Sequence, residues 1–153
     1  MARKKGHAGA ILIRPVSSED IPKIARIGSQ CFPDSDVSEE KTLSRISRGH
    51  FIFVAEYNRK VVGFLDMKMG IASARVYGLA TDPAFRGKGA GTALLSYGVD
   101  FSRRAGKMSI LLRVAVRNLR ALSLYEKLGF FVVSSGRIKG GKSIYLMERK
   151  FET

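Results

Sequence analysis

The spacing of apolar and polar residues divides the first half of the chain into strands and helices. Apolar residues 11 to 13 are typical of a short strand, and apolar residues recur at helical spacing over 21 to 27. A second, shorter helix is predicted from 38 to about 49. Residues 51 to 57 and 61 to 69 are rich in aromatic and branched side chains, and the Asn-Arg-Lys segment between them predicts an antiparallel hairpin.

The second half of the chain alternates between strands and helices. The predicted elements are a strand at 75 to 81, a helix from 90 to a stop at Gly106, a strand at 109 to 116, a helix from Asn118 to Gly129, and strands at 130 to 138 and 143 to 147. Because a helix joins the first two of these strands, they are predicted to be parallel. We therefore expect an α/β (α+β) fold with one mixed, mostly antiparallel sheet of six to seven strands, flanked by about four helices.

The length and composition favour one globular domain. The chain has 153 residues, of which 45% are hydrophobic, and this is enough for a buried core. We expect a domain over residues 10 to 153, preceded by a basic, disordered tail over residues 1 to 9. No apolar run approaches the roughly 20 residues of a membrane span, and the N-terminus lacks a secretory signal. A soluble, cytoplasmic protein without a membrane partner is therefore expected.

The net charge of +14 predicts an anionic partner, such as a polyanion, an acidic protein surface or an anionic cofactor. The alternative is a basic surface that contacts solvent alone. Nucleic acid is not the expected partner, because the sequence contains no helix-turn-helix or zinc signature. Cys31 is the only cysteine, so neither an internal disulfide nor a cysteine metal cluster is expected.

A glycine-rich turn joins the strand at 75 to 81 to the helix that follows it. The turn reads Arg-Gly-Lys-Gly-Ala-Gly from Arg86 to Gly91. Unpaired N–H groups and the positive end of the helix dipole favour a phosphate at such a helix start, and glycines let the phosphate approach the backbone. The dinucleotide pattern G-x-G-x-x-G fails at Thr92, and no hydroxyl residue of a P-loop follows Lys88. The turn therefore predicts a pyrophosphate site flanked by Arg86 and Lys88.

Two motifs resemble signatures of the GNAT superfamily of N-acetyltransferases. The hexad R-x-x-G-x-G from Arg86 to Gly91 resembles the acetyl-coenzyme A signature, and the segment from Asn118 to Phe130 resembles the second signature of that superfamily. The resemblance covers roughly residues 10 to 150. It implies the GNAT fold, in which the two central parallel strands splay apart, and it implies acetyl-CoA as the co-substrate without a metal.

The resemblance also assigns residues to the coenzyme. It implies that backbone groups of Leu79 and Thr81 bind the pantetheine arm like an added strand, and that an N–H near Leu79 or Ala80 polarises the thioester carbonyl. The expected coenzyme-binding residues are Leu79, Ala80, Thr81, Arg86, Gly87, Lys88, Gly89, Ala90, Gly91, Thr92, Asn118 and Tyr125. The alternatives are ordinary strand pairing, a solvated turn and a simple helix cap at Asn118.

Tyr125 is the residue that the resemblance implies as the general acid for the departing thiolate. A phenol with an ordinary pKa of about 10 is protonated at neutral pH, which suits that role, and the alternative is a packed aromatic on the helix face. Family members often use a glutamate as general base, but strand parity places Arg75 and Arg113 at such positions, and neither can accept a proton. Tyr77, acting through water, is the nearest substitute. The two arginines either hold a carboxylate or phosphate of the acceptor or simply face solvent.

These assignments predict an acyltransferase, namely an acetyl-CoA-dependent N-acetyltransferase that acts by direct transfer to a primary amine. The short chain and the Tyr-Glu-Lys-Leu-Gly-Phe segment favour the branch that acetylates protein N-termini, and small amines and lysine side chains stay open as acceptors. The alternative from another class is a non-catalytic acyl-CoA-binding regulatory module in which the arginines replace the base. A monomer or a homodimer is expected.

Overall fold

The computed structural model describes residues 9–152, so most of the predicted tail, residues 1–8, lies outside the described residues. The strands are β1 (Ile11–Pro15), β2 (Phe51–Tyr57), β3 (Lys60–Met69), β4 (Ser73–Thr81), β5 (Ser109–Ala115), β6 (Phe131–Arg137) and β7 (Ser143–Lys150). The helices are α1 (Ile21–Cys31), α2 (Glu39–Ser47), α3 (Ala90–Arg104) and α4 (Leu119–Lys127). Short helical turns at Ser18–Asp20 and Pro83–Phe85 precede α1 and follow β4.

The seven strands form one mixed sheet in the order β1-β2-β3-β4-β5-β7-β6. β4 and β5 are parallel, as the helix between them predicts, whereas the pairs β1–β2, β5–β7 and β6–β7 are antiparallel. The predicted mixed α/β class, with seven strands and four helices, is therefore confirmed.

The described residues group into two compact units. Unit one contains the residues up to Asp66 together with Gly78–Tyr97, and unit two contains Met67–Tyr77 together with the residues from Gly98 onward. β3, β4 and α3 each contribute residues to both units. In residues 9–152, no helix has the length and apolar character needed to cross a membrane.

The core of unit one forms where α1 packs on the strands of that unit. Ile24 and Ile27, at the helical spacing noted above, are buried in this core. The other buried members of the cluster are Val37, Ile52, Val54, Phe64 and Ala80. Full burial of an isoleucine side chain contributes about 1.5–3 kcal/mol, so these two residues hold α1 firmly in place. Because Ala80 lies near the end of β4, the same core fixes the strand that enters the glycine-rich turn.

Asn58 and Arg59 form the predicted turn between β2 and β3. Both residues have positive φ, of 50° and 66° respectively. A two-residue turn with positive φ at both positions is of type I′, whose twist matches that of the antiparallel strands. The Gly9 N–H donates to Asn58 Oδ1 at 3.0 Å, so this turn also anchors the first described residue.

β5 and β7 form the centre of unit two. They pair antiparallel along the whole of β5. Ile110 and Leu112 on β5 and Met147 on β7 are buried. β6 pairs with β7 and is exposed along its length. The hairpin between β6 and β7 turns through Gly140 and Gly141, whose φ values of 93° and 81° lie in the left-handed region that favours glycine. The predicted glycine turn is therefore present.

The contact between α1 and Val37 depends on a glycine. A Cβ added at Gly28 would lie 2.2 Å from Val37 Cγ1 and 2.8 Å from Val37 Cβ. We expect Gly28→Ala to lower the free energy of unfolding by about 1–3 kcal/mol, because the overlap outweighs the better helix propensity of alanine. Urea unfolding monitored by circular dichroism measures this change.

Gly136→Ala on β6 is the matched control for Gly28→Ala. No atom of the described residues lies within 4 Å of the position of its Cβ, and its φ is not positive. We expect its stability to stay within about 0.5 kcal/mol of the wild type. Equal stability of the two variants would show that α1 does not depend on the close approach of Val37.

Candidate active site

Asp82 follows β4 and directs the chain toward α3. Its N–H donates to the Val62 carbonyl at 2.7 Å, and its Oδ1 accepts a hydrogen bond from the Ala84 N–H at 3.0 Å. The second bond caps the helical turn Pro83–Phe85, in which proline has no N–H to satisfy. Both contacts belong to unit one, and they fix the entry to the glycine-rich turn.

Gly87 and Gly89 give this turn a backbone conformation that other residues rarely adopt. Their φ values are 82° and 87°. Among the described residues, no atom lies within 4 Å of the position of a Cβ at either glycine, so the space above the turn is open. The Ala93 N–H donates to the Gly89 carbonyl at 3.0 Å, and the N–H groups of residues 90 to 92 precede this bond without a partner inside α3. The turn therefore has the backbone donors and the access that an anion needs.

Arg86 and Lys88 flank the turn, and both side chains are exposed. Lys88 Nζ lies 5.2 Å from the centroid of the Tyr57 ring, which is cation–π geometry. Tyr57 also meets the ring of Phe85 edge-on, with the centroids 5.9 Å apart. The Tyr57 ring thus holds Lys88 beside the turn. The contribution of Tyr57 was not predicted, because it lies on β2, far from the motif in sequence.

The end of β4 carries the three residues that are expected at the pantetheine arm and thioester. Ala80 is buried, whereas Leu79 and Thr81 are half-buried. The Thr81 carbonyl accepts a hydrogen bond from the Cys31 thiol at 3.4 Å. A Cβ at Gly63 would lie 2.7 Å from the Ala80 carbonyl oxygen, so β3 approaches β4 this closely because residue 63 is a glycine.

The parallel pairing of β4 with β5 is short. It joins Ser73–Arg75 with Ser109–Leu111, although β4 continues to Thr81 and β5 continues to Ala115. Within unit two, the parallel pairing therefore ends at Arg75 on β4 and at Leu111 on β5. Leu79 and Thr81 lie beyond the paired part of β4.

Tyr125 lies on α4 in unit two, where it is 8% exposed and packs 6.1 Å from Phe130 between ring centroids. Burial disfavours the charged phenolate and raises the pKa of Tyr125 to about 12. The hydroxyl is therefore protonated at neutral pH, as a proton donor requires. Asn118 begins the same helix, and its Oδ1 accepts a hydrogen bond from the Ala121 N–H at 3.2 Å. Asn118 is thus the N-cap of α4 and is exposed.

Arg75 and Tyr77 lie together on β4 in unit two. The Arg75 guanidinium carbon is 5.3 Å from the centroid of the Tyr77 ring, and Tyr77 is 54% exposed. Arg113 lies on β5 of the same unit and is also exposed. The structure thus brings Arg75 and Tyr77 into contact, whereas the roles of these residues toward an acceptor stay predictions.

A His50–Asp66 pair in unit one, in which Asp66 is buried and His50 is half-buried, was not predicted. His50 Nδ1 is 2.6 Å from Asp66 Oδ1, and Arg45 Nε is 3.7 Å from the other carboxylate oxygen. Burial raises the pKa of Asp66, and the nearby His50 and Arg45 oppose that rise. No sequence motif reveals this pair, because the two residues are 16 positions apart and carry no recognised spacing. In the part of the chain that the structure describes, no group of three or more His, Cys, Asp or Glu is placed to hold a metal.

The glycine-rich turn and α4 both fall within one family match. The model of the acetyltransferase (GNAT) family matches residues 21–130, which include the turn, Asn118 and Tyr125. The chain belongs to the GNAT family. This GNAT membership agrees with the order of the two motifs along the chain.

Two curated proteins are similar to parts of this GNAT chain. An uncharacterized N-acetyltransferase of Methanocaldococcus jannaschii is 35% identical over 85 residues, which cover 51% of this chain and 38% of that protein. The ribosomal protein bS18-alanine N-acetyltransferase of Escherichia coli K12 is 30% identical over 93 residues, which cover 61% of this chain and 63% of that protein. The chain thus spans less than two thirds of the length of these relatives.

The fold is similar to a solved structure over nearly its whole length. The crystal structure of Ard1 from Thermoplasma volcanium superposes with a TM-score of 0.84 at 25% identity, and the match covers 94% of this chain and 99% of that chain. The predicted GNAT fold is therefore confirmed.

The raised pKa of Tyr125 predicts a loss of stability at alkaline pH. Between the ordinary phenol pKa of about 10 and the raised pKa of about 12, the folded state keeps this proton while the unfolded state releases it. The free energy of unfolding therefore falls as the pH rises through this interval. We expect the wild type to lose about 1 kcal/mol more than Tyr125→Phe between about pH 9 and about pH 11, measured by denaturant unfolding.

Tyr77→Phe is the matched control for this measurement. Its phenol is 54% exposed, so we expect this variant to keep the pH dependence of the wild type. If Tyr125→Phe also kept that dependence, the phenol of Tyr125 would ionise as it does in water, and its burial would have no effect on its proton.

Proposed function

We propose that this GNAT protein is an acetyl-CoA-dependent N-acetyltransferase that transfers the acetyl group directly to a primary amine. The glycine-rich turn at the start of α3 carries the proposal, because its left-handed glycines and its N–H groups, which have no partner inside α3, form an open site suited to a pyrophosphate. The family match over residues 21–130 supports coenzyme A as the source of that pyrophosphate.

The residues at the turn are suited to the coenzyme. In this proposal, the N–H groups from Gly87 to Thr92 bind the pyrophosphate, and Arg86 and Lys88 supply positive charge beside it. Tyr57 positions Lys88 through the cation–π contact described above. Backbone groups of Leu79 and Thr81 bind the pantetheine arm.

The chain's own groups then assist a direct transfer. Acetyl-CoA, when bound, supplies the thioester; the acceptor nitrogen forms the new C–N bond as the C–S bond breaks. An N–H of Leu79 or Ala80 donates to the oxygen on which negative charge develops. Tyr125 gives its proton to the departing sulfur and regains one from solvent. The amine proton passes to water, and we assign Tyr77 to orienting that water.

A protein N-terminus is the acceptor that we propose. The similarity to the Escherichia coli enzyme named for the alanine of ribosomal protein bS18 supports this assignment. Arg75 and Arg113, which lie in unit two, are assigned to a carboxylate or phosphate of the acceptor, because guanidinium groups pair bidentately with such groups. Small amines and lysine peptides are the competing acceptors.

The test is release of free coenzyme A from acetyl-CoA with three acceptor sets, namely peptides that differ in their first two residues, lysine peptides and small amines. We expect turnover on free peptide N-termini and a decrease in kcat of about a hundredfold for Tyr125→Phe, because a general acid contributes about 10²–10⁴. Tyr145→Phe on β7 is the control, and its kcat should equal that of the wild type. Tight acetyl-CoA binding without release for every acceptor would instead identify a non-catalytic acyl-CoA-binding module.

The assignment of the turn has a separate test by calorimetric binding of acetyl-CoA. We expect Arg86→Gln and Lys88→Gln each to weaken binding by about tenfold, because each removes a charge-assisted contact to phosphate. Lys60→Gln removes an exposed charge at the start of β3 and should leave the affinity unchanged. Wild-type affinity in both turn variants would place the phosphates elsewhere.

A further inference from the structure

A pocket of about 640 Å³ opens in unit two where β5 ends, α4 begins and the β6–β7 hairpin turns. It is lined by Ala115, Val116, Arg117, Asn118, Gly140, Gly141, Lys142 and Ser143. Two of these residues are cations, and none carries a carboxylate. The pocket is therefore a basic recess at the carboxyl end of a central strand.

The two cations in the pocket have no local countercharge. Within residues 9–152, neither Arg117 nor Lys142 has an ion-pair partner, and both are exposed. The carboxylates of unit two are Asp100, Glu126, Glu148 and Glu152, and Lys and Arg greatly outnumber them. Two of these carboxylates are engaged elsewhere, with Asp100 near Arg103 and Glu148 accepting a hydrogen bond from Ser109. An anion that entered the pocket would meet unneutralised positive charge.

The backbone holds the two sides of the pocket in place. The Val116 N–H donates to the Ser143 carbonyl at 3.1 Å, which joins the end of β5 to the start of β7. The Ile138 N–H donates to the Lys142 carbonyl at 3.0 Å and the Gly141 N–H donates to the Ile138 carbonyl at 3.0 Å, which closes the hairpin. The segments that carry Arg117 and Lys142 are thus ordered before any ligand binds, which lowers the entropy lost on binding.

We propose that this pocket binds a carboxylate of the acceptor, so that the preferred acceptor is a peptide N-terminus with Asp or Glu among its first residues. This inference rests on the proposed function. Arg117 pairs with both carboxylate oxygens and Lys142 adds a point charge. The pocket adjoins the helix of the proposed acid, because Asn118 lines it and caps α4, which carries Tyr125.

The charge of the pocket favours a single carboxylate over a nucleic acid. Two cations in one recess can both contact a single anionic group. Affinity for a nucleic acid comes instead from many phosphate contacts along a surface. The coenzyme is the other anion in this system. Its occupation of the pocket is a distinct outcome of the experiment below.

The experiment uses the full chain saturated with coenzyme A and measures peptide binding by calorimetry. The probes are peptide amides that differ by a single Asp or Asn at position one, two or three. The variants are Arg117→Gln and Lys142→Gln. Arg104→Gln, which removes an exposed charge at the end of α3, is the control with the same change in net charge.

We expect the wild type and Arg104→Gln to bind at least one Asp peptide about tenfold more tightly than its Asn counterpart, because charge-assisted bonds contribute about that factor. Arg117→Gln and Lys142→Gln should each remove most of this preference and leave the affinity for acetyl-CoA unchanged. Equal wild-type binding of every Asp and Asn pair would overturn the proposal. Weaker acetyl-CoA binding by the two variants, with the peptide preference intact, would also overturn it and assign the pocket to the coenzyme.

Turnover of the same peptides separates this inference from the proposed function. An intact preference for Asp peptides without release of free coenzyme A would support the pocket and contradict the enzyme. Release on Asp and Asn peptides at equal kcat/KM, unchanged by Arg117→Gln, would support the enzyme and contradict the pocket.

Discussion

The N–H groups of residues 90 to 92, which have no partner inside α3, are the constraint on which the candidate site depends. A helix start leaves backbone donors without partners inside the helix, and an anion satisfies them while it gains from the helix dipole. Unit one holds this helix start in place, because its core fixes Ala80 at the end of β4 and Asp82 fixes the next turn by two hydrogen bonds. The left-handed conformation of Gly87 and Gly89 then keeps the donors accessible.

The exposed cations and the buried tyrosine are suited to different tasks, because they differ in charge and burial. Exposed cations such as Arg86 and Arg117 have no carboxylate partner in the described part of the chain, so they are suited to attract anionic ligands. Tyr125 is instead buried, and its raised pKa keeps its proton in place. The net charge of +14 thus needs no nucleic acid to explain it, because the proposed coenzyme is an anion and the proposed acceptor carries a carboxylate.

Local patterns predicted most of the fold and the glycine-rich turn before α3. Helical spacing located α1. The turns were located by Asn58, a residue that tolerates positive φ, and by the glycine-rich segments. Both signals depend on residues that are close in sequence. Contacts between distant segments were not predictable in the same way. Tyr57 contacts Lys88, and His50 contacts Asp66, between segments that are distant in sequence and that no motif relates. The pocket at Arg117 was missed for the same reason.

The most direct test of the central claim is to follow the backbone amide resonances of the full chain while coenzyme A is added. The largest shifts should occur at the amides from Gly87 to Thr92, because the bound pyrophosphate would accept their hydrogen bonds. Smaller shifts should occur at Leu79 and Thr81, which are assigned to the pantetheine arm. Binding that left the amides of the turn unmoved would contradict the claim that this helix start holds the coenzyme.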